Sequence, residues 1–113
     1  MFKKGRLGKN IMWPAYRRSV NAVAPGSLEE LRPARGVLAL RCTLPGCAAC
    51  AAFQTERRAA YEHNLKSSHG VVDILPWNCK SHHRRKLAVD AGVDDLPAYV
   101  FIPARGRIRV EEP

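Results

Sequence analysis

Val37-Leu38-Ala39-Leu40-Arg41-Cys42-Thr43-Leu44-Pro45-Gly46-Cys47-Ala48-Ala49-Cys50 is the stretch that decides the fold. Its first half is a nearly continuous apolar run, Val37–Thr43, without the alternation of a half-exposed strand. Such a run suits a central strand buried on both faces. Leu44-Pro45-Gly46 supplies a turn. From Cys47 to about Leu65 the chain becomes rich in Ala, Arg, Glu and Gln, which predicts a long helix with Phe53, Ala60, Tyr61 and Leu65 on its inward face. Cys47 then falls at a helix N-terminus, where unpaired N–H groups and the helix dipole favour a thiolate. Cys50, one turn on, faces the same side and can attack a mixed disulfide formed at Cys47.

The flanking segments extend this pattern. Ser67-Ser68-His69-Gly70 closes the helix, and Val71–Leu75 is predicted as a second strand stopped by Pro76. A helix follows over Ser81–Ala91, with Leu87, Ala88 and Ala91 inward and Gly92 ending it. After Leu96-Pro97, Ala98–Ile102 is a third apolar strand. Pro103-Ala104-Arg105-Gly106 turns the chain into Arg107–Val110, where Ile108 and Val110 alternate with Arg107 and Arg109 as in a charged edge strand. Upstream, Ser27 and Glu30 have the spacing of a capping box over Leu28–Leu31, and Pro33 ends that helix quickly. Ser19–Ala24 reads as a short strand before Pro25-Gly26. Helices between the early strands imply parallel pairing by right-handed crossovers. The fold class is α/β, a mixed central sheet with a parallel βαβ unit and a C-terminal antiparallel hairpin.

A Cys-x-x-Cys inside a βαβ pattern is the signature of a thioredoxin-like redox motif. Val37–Cys50 resembles the strand, turn, cysteine-pair and helix segment of the thioredoxin family. Gly92-Val93-Asp94-Asp95-Leu96-Pro97-Ala98-Tyr99-Val100-Phe101 resembles that family's second signature, in which a cis-proline precedes a strand and faces the cysteines. The likeness covers about residues 19–110. It implies Cys47 as attacking thiolate, Cys50 as resolving thiol, and a substrate platform at Gly46, Leu96 and Pro97 acting on protein cysteines. Trp77, after Pro76, is either a lid on the core or a substrate-facing aromatic. The chain departs from the family at three places. Gly46 stands where a Trp usually precedes the first cysteine, and Ala48-Ala49 replaces the usual Gly-Pro. Arg41 occupies the position six before the first cysteine, where many members bury an acid. An Arg there must reach solvent or pair with an acid. The family's C-terminal helix has no counterpart before Pro113, so another segment or a partner is expected to cover that sheet face.

Two further cysteines and the histidines are read more plainly. Cys42 is expected to be a buried structural thiol and Cys79 a loop cysteine. Cys47-x2-Cys50 with Cys79-x2-His82 is a ligand set acceptable to zinc, but residues 51–78 between them are too long for a compact ribbon, so no metal is assigned. No cofactor is expected.

The charge is uneven. The 113 residues carry 19 Lys+Arg against 10 Asp+Glu, a formal +9. Lys3, Lys4, Arg6, Lys9, Arg17 and Arg18 supply +6 of it within residues 1–18, which contain no acid. The chain therefore reads as a basic extended arm, residues 1–18, ahead of a thioredoxin-like domain, residues 19–113. Those six basic groups and Trp13 are the expected partner-binding residues, for an acidic protein surface or nucleic acid. That suggests a component of a multi-protein assembly. An alternative is a structural part of a large particle, a viral capsid or a ribonucleoprotein such as a mitochondrial ribosome. No helix-turn-helix, zinc-finger or RNA-recognition signature accompanies the charge. No run approaches the roughly 20 apolar residues of a membrane span, and no secretory signal follows the basic start. An intracellular location, within an organelle or a viral particle, is the corresponding expectation.

Overall fold

The computed structural model describes residues 26–54 and 56–113. The expected strand at residues 19–24 and the basic arm lie outside the described residues. A single 3-10 turn, Leu28–Leu31, is followed by β1 (Val37–Thr43), α1 (Ala48–Ala52), α2 (Glu56–Ser68), β2 (Val71–Asn78), α3 (His82–Ala91), β3 (Ala98–Pro103) and β4 (Arg109–Glu111).

The four strands form one sheet in the order β2-β1-β3-β4. β1 is the inner strand its composition requires, with Ala39, Leu40 and Cys42 fully buried. It pairs with β2 in parallel and with β3 antiparallel, and β4 closes the hairpin antiparallel to β3. β3 runs antiparallel to β1 although a helix precedes it. The reason is that α3 and the link after it return the chain to the end of the sheet where β1 finishes. Leu96 there lies beside Cys47, with 3.7 Å between the Leu96 carbonyl oxygen and Cys47 Sγ.

Two apolar layers clamp the sheet. One face packs Leu38, Leu40, Cys42, Trp77, Val100 and Ile102 against Leu28 and Leu31 and against Leu87 and Ala88 of α3. The other packs Ala39, Val71, Tyr99 and Phe101 against Phe53, Tyr61 and Leu65. On this second face Phe101 is 1 % exposed. The Arg109 guanidinium lies 5.2 Å from its ring centre and the His69 ring 5.8 Å away. These two side chains cover the Phe101 ring on this face.

Several local expectations change. The helix expected over 47–65 is two helices. Phe53 ends the first, its N–H donating to the carbonyls of Ala49 and Cys50 at 3.1 and 3.3 Å. Its ring turns inward to meet Tyr61 and Tyr99 edge-on, with centroids 5.5 and 6.1 Å apart. Ala60, expected inward, is exposed. β2 does not stop at Pro76 but runs through it to Asn78. β2 is one of the two outer strands of the four described, where a missing N–H need not cost an inner ladder bond. Ser27 makes no side-chain cap bond. With Pro33 so near, only one turn forms, and Glu30 accepts from the Gly26 N–H at 3.2 Å instead. β4 begins at Arg109 rather than Arg107. α3 matches its expected bounds, with Ser81 accepting from the Arg84 N–H and Gly92 adopting φ +111 as its left-handed cap.

Candidate active site

Pro45 and Gly46 sit at the centre of a tight turn closed by the Cys47 N–H on the Leu44 carbonyl at 3.1 Å. Gly46 has φ +85, a conformation that L side chains rarely adopt. The turn therefore demands glycine where a bulky aromatic was the family expectation. Cys47 is the N-cap of α1, and its sulfur accepts from the Cys50 N–H at 3.0 Å. α1 has only five residues, so this direct N–H contact, rather than a long helix dipole, is the local field at the Cys47 sulfur.

Cys47 and Cys50 are joined as a disulfide, with Cα atoms 5.2 Å apart. The two sulfurs differ in access. Cys47 is half-buried, and Cys50 is 5 % exposed beneath α1. Leu96 and Pro97, both half-buried, face the pair from the link before β3, and the Leu96–Pro97 peptide bond is cis. The turn after β1 and the turn before β3 meet at one edge of the sheet because β1 and β3 are antiparallel neighbours, with Cys42 opposite Ala98.

Trp77 is not at this surface. It is 1 % exposed, its indole N–H donates to the Arg84 carbonyl at 3.0 Å, and the Arg84 guanidinium stacks 4.8 Å from its ring centre. Of the two readings of Trp77, its place in the core fits the lid and not the substrate-facing aromatic. Lys3, Lys4, Arg6, Lys9, Trp13, Arg17 and Arg18 lie outside the described residues.

Arg41 has the acid it needs. Its Nε donates to Glu62 Oε2 of α2 at 2.7 Å, and the Tyr99 hydroxyl donates to the same oxygen at 2.5 Å. Burial pushes the Glu62 carboxyl up, but the bonds from Arg41 and Tyr99 outweigh it and hold the group below the usual carboxylate range. Burial and then the Glu62 carboxylate push the Tyr99 phenol well above its ordinary value. Nothing in the local sequence singles out Glu62, one of several polar residues on a helix with little amphipathic character.

Cys42 and Cys79 are both buried thiols in one apolar cluster, and the Cys42 thiol donates to the Leu40 carbonyl at 3.8 Å. In the local sequence nothing links the two. The one available signal was that both stand near the ends of successive parallel strands. Among the described residues no group of three His, Cys, Asp or Glu is placed to hold a metal ion.

No protein-family model matches the chain, and no curated protein matches it in sequence. Among solved structures, the crystal structure of the J-Trx1 fragment of ERdj5 matches with a TM-score of 0.52 at 18 % identity, covering 86 % of this chain. The match spans 40 % of that chain's length. The fold is therefore thioredoxin-like, a mixed sheet carrying a Cys-x-x-Cys disulfide after its central strand. None of the described helices is long and apolar enough to cross a membrane.

Proposed function

We propose that the protein is a thiol-disulfide oxidoreductase acting on protein cysteines. The observation that carries this reading is the asymmetric Cys47–Cys50 pair: a half-buried cysteine whose sulfur accepts a backbone N–H at 3.0 Å, joined to a buried one. In the reduced protein the Cys50 N–H would favour the Cys47 thiolate. That thiolate attacks one sulfur of a substrate disulfide, forming a mixed disulfide and releasing the first substrate thiolate. Cys50 then attacks the Cys47 sulfur, the mixed disulfide breaks, and the second substrate thiolate leaves. Two electrons pass to the substrate, and the protein is left with its Cys47–Cys50 disulfide. Burial keeps Cys50 from competing for substrate while one helical turn keeps it within reach of Cys47. Gly46, Leu96 and Pro97 form the rim against which the substrate backbone rests.

The six basic residues of the arm and Trp13 dock this domain on an acidic protein surface or a nucleic acid within a larger assembly. Support for this comes from the concentration of +6 of the net +9 in residues 1–18.

Dithiothreitol-driven insulin reduction tests the chemistry. The wild type should accelerate it, and Cys47→Ser should fall to the uncatalysed rate. Equal rates for the two would refute it. Deletion of residues 1–18 should leave insulin reduction intact and abolish retention on the cellular assembly. Unchanged retention would remove the docking role.

A further inference from the structure

Cys42 and Cys79 take no part in the chemistry above, yet the sheet brings them together. Cys42 stands opposite Trp77 in the β1–β2 ladder, and Cys79 lies two residues beyond Trp77. Strand alternation therefore puts all three side chains on the face covered by α3. The Cys79 N–H donates to the Thr43 carbonyl at 2.8 Å, which holds the start of the β2–α3 turn against the end of β1. The two thiols lie in one apolar cluster at this junction and are 0 % and 2 % exposed.

An apolar core ordinarily holds a thiol in its neutral, inert form. This pair has cations beside it. Arg85 Nε donates to the Cys79 carbonyl at 3.1 Å, and the Arg84 guanidinium lies over Trp77. The neighbouring Cys42 thiol, together with the Arg85 and Arg84 charges, outweighs burial and holds the Cys79 thiol below its ordinary value. The Cys79 thiol and burial together push the Cys42 thiol up. One sulfur is poised to lose its proton while its neighbour keeps one.

We propose that Cys42 and Cys79 are a second redox pair, closed to an intramolecular disulfide by hydrogen peroxide independently of Cys47 and Cys50. The Cys79 thiolate attacks one peroxide oxygen, the O–O bond breaks, and hydroxide leaves a sulfenic acid on Cys79. The Cys42 thiol then attacks the sulfenic sulfur. The S–S bond forms, the S–O bond breaks, and the departing hydroxide takes the Cys42 proton as water. The thiols lose two electrons, and the peroxide is reduced to two waters once the first hydroxide is protonated. Peroxide suits the site because it is close to water in size, whereas burial excludes a peptide disulfide such as oxidised glutathione. The product would tie the end of β1 to the β2–α3 junction.

The test uses the full chain carrying Cys47→Ala and Cys50→Ala, reduced, desalted and treated with peroxide. Intact mass should fall by about 2 Da, the two thiol hydrogens. Tryptic digestion should give residues 42–57 cross-linked to residues 67–80. Adding Cys42→Ala should replace the loss by a gain of about 16 Da or its multiples, the oxygens of an unresolved sulfenic or higher acid. The wild type should give the same cross-linked pair. Oxygen addition without cross-linking in the variant that retains both thiols, or no mass change, would overturn the proposal. Because that variant lacks Cys47 and Cys50, the result does not depend on the outcome of the insulin assay.

Discussion

Glu62→Ala removes the one oxygen that two buried groups share. Oε2 of Glu62 accepts from Arg41 Nε at 2.7 Å and from the Tyr99 hydroxyl at 2.5 Å. The Arg41 and Glu62 side chains are only 21 % and 17 % exposed, so water replaces little of what is lost. A hydrogen bond to a charged group contributes about 1.5–3 kcal/mol, and an orphaned buried hydroxyl costs about 1–3 kcal/mol. Partial overlap of the two gives an expected loss of about 3 kcal/mol, a large share of a typical ~5–15 kcal/mol. Glu62→Gln keeps the volume and an acceptor and should cost about 1 kcal/mol. Urea unfolding followed by circular dichroism reads both.

The pH dependence adds a second check on the same pair. The folded Glu62 carboxyl lies below its ordinary 4.5. Its contribution is therefore present above that value and is lost as pH falls through the folded one. The gap between wild type and Glu62→Gln should narrow from about pH 7 to about pH 3.5. At the other end, the phenol of Tyr99 is raised above 10.0. Its contribution is present below that value and is lost as pH climbs toward the folded one. A Glu62→Ala variant within about 0.5 kcal/mol of wild type, the range of ordinary surface substitutions, would refute the reasoning. So would a gap indifferent to acid.

Two further substitutions probe the frame around the site. Leu65→Ala, at the fully buried position of α2, should cost about 2–5 kcal/mol in the same urea assay; a loss under 1 would mean the helix does not pack as described. Gly92→Ala should cost about 1 kcal/mol. The added Cβ would meet only Val110 Cγ2, at 3.7 Å, so the φ of +111 alone sets that cost. A neutral result would show that α3 can end without a left-handed residue.

Much of the site was legible because its signals are local. Pro45-Gly46 before Cys47 specifies a turn that needs a positive φ, and Cys47-x-x-Cys50 places two sulfurs one helical turn apart. Ser81 and Gly92 mark both ends of α3. The division of the expected helix at Phe53 was not legible. Ala-rich sequence on either side supports helix, and the break follows from Phe53 reaching Tyr61 and Tyr99 across the layer. Trp77 was ambiguous for a related reason: an aromatic after a proline has no periodicity to say which side is covered, and α3 decided it.

The amino-acid sequence by itself determined the alternation of strand and helix from β1 to β4, the inner position of Val37–Thr43, the pairing of Cys47 with Cys50 and the segregation of positive charge into residues 1–18. Each rests on composition or spacing within a few residues. Only the tertiary structure decided that β3 runs antiparallel to β1, that Arg41 is answered by Glu62, and that Cys42 meets Cys79. Hydrophobic pattern states which side chains turn inward but not what they meet. Those neighbours are chosen by strand order and register, which join residues 21 to 66 positions apart in the chain.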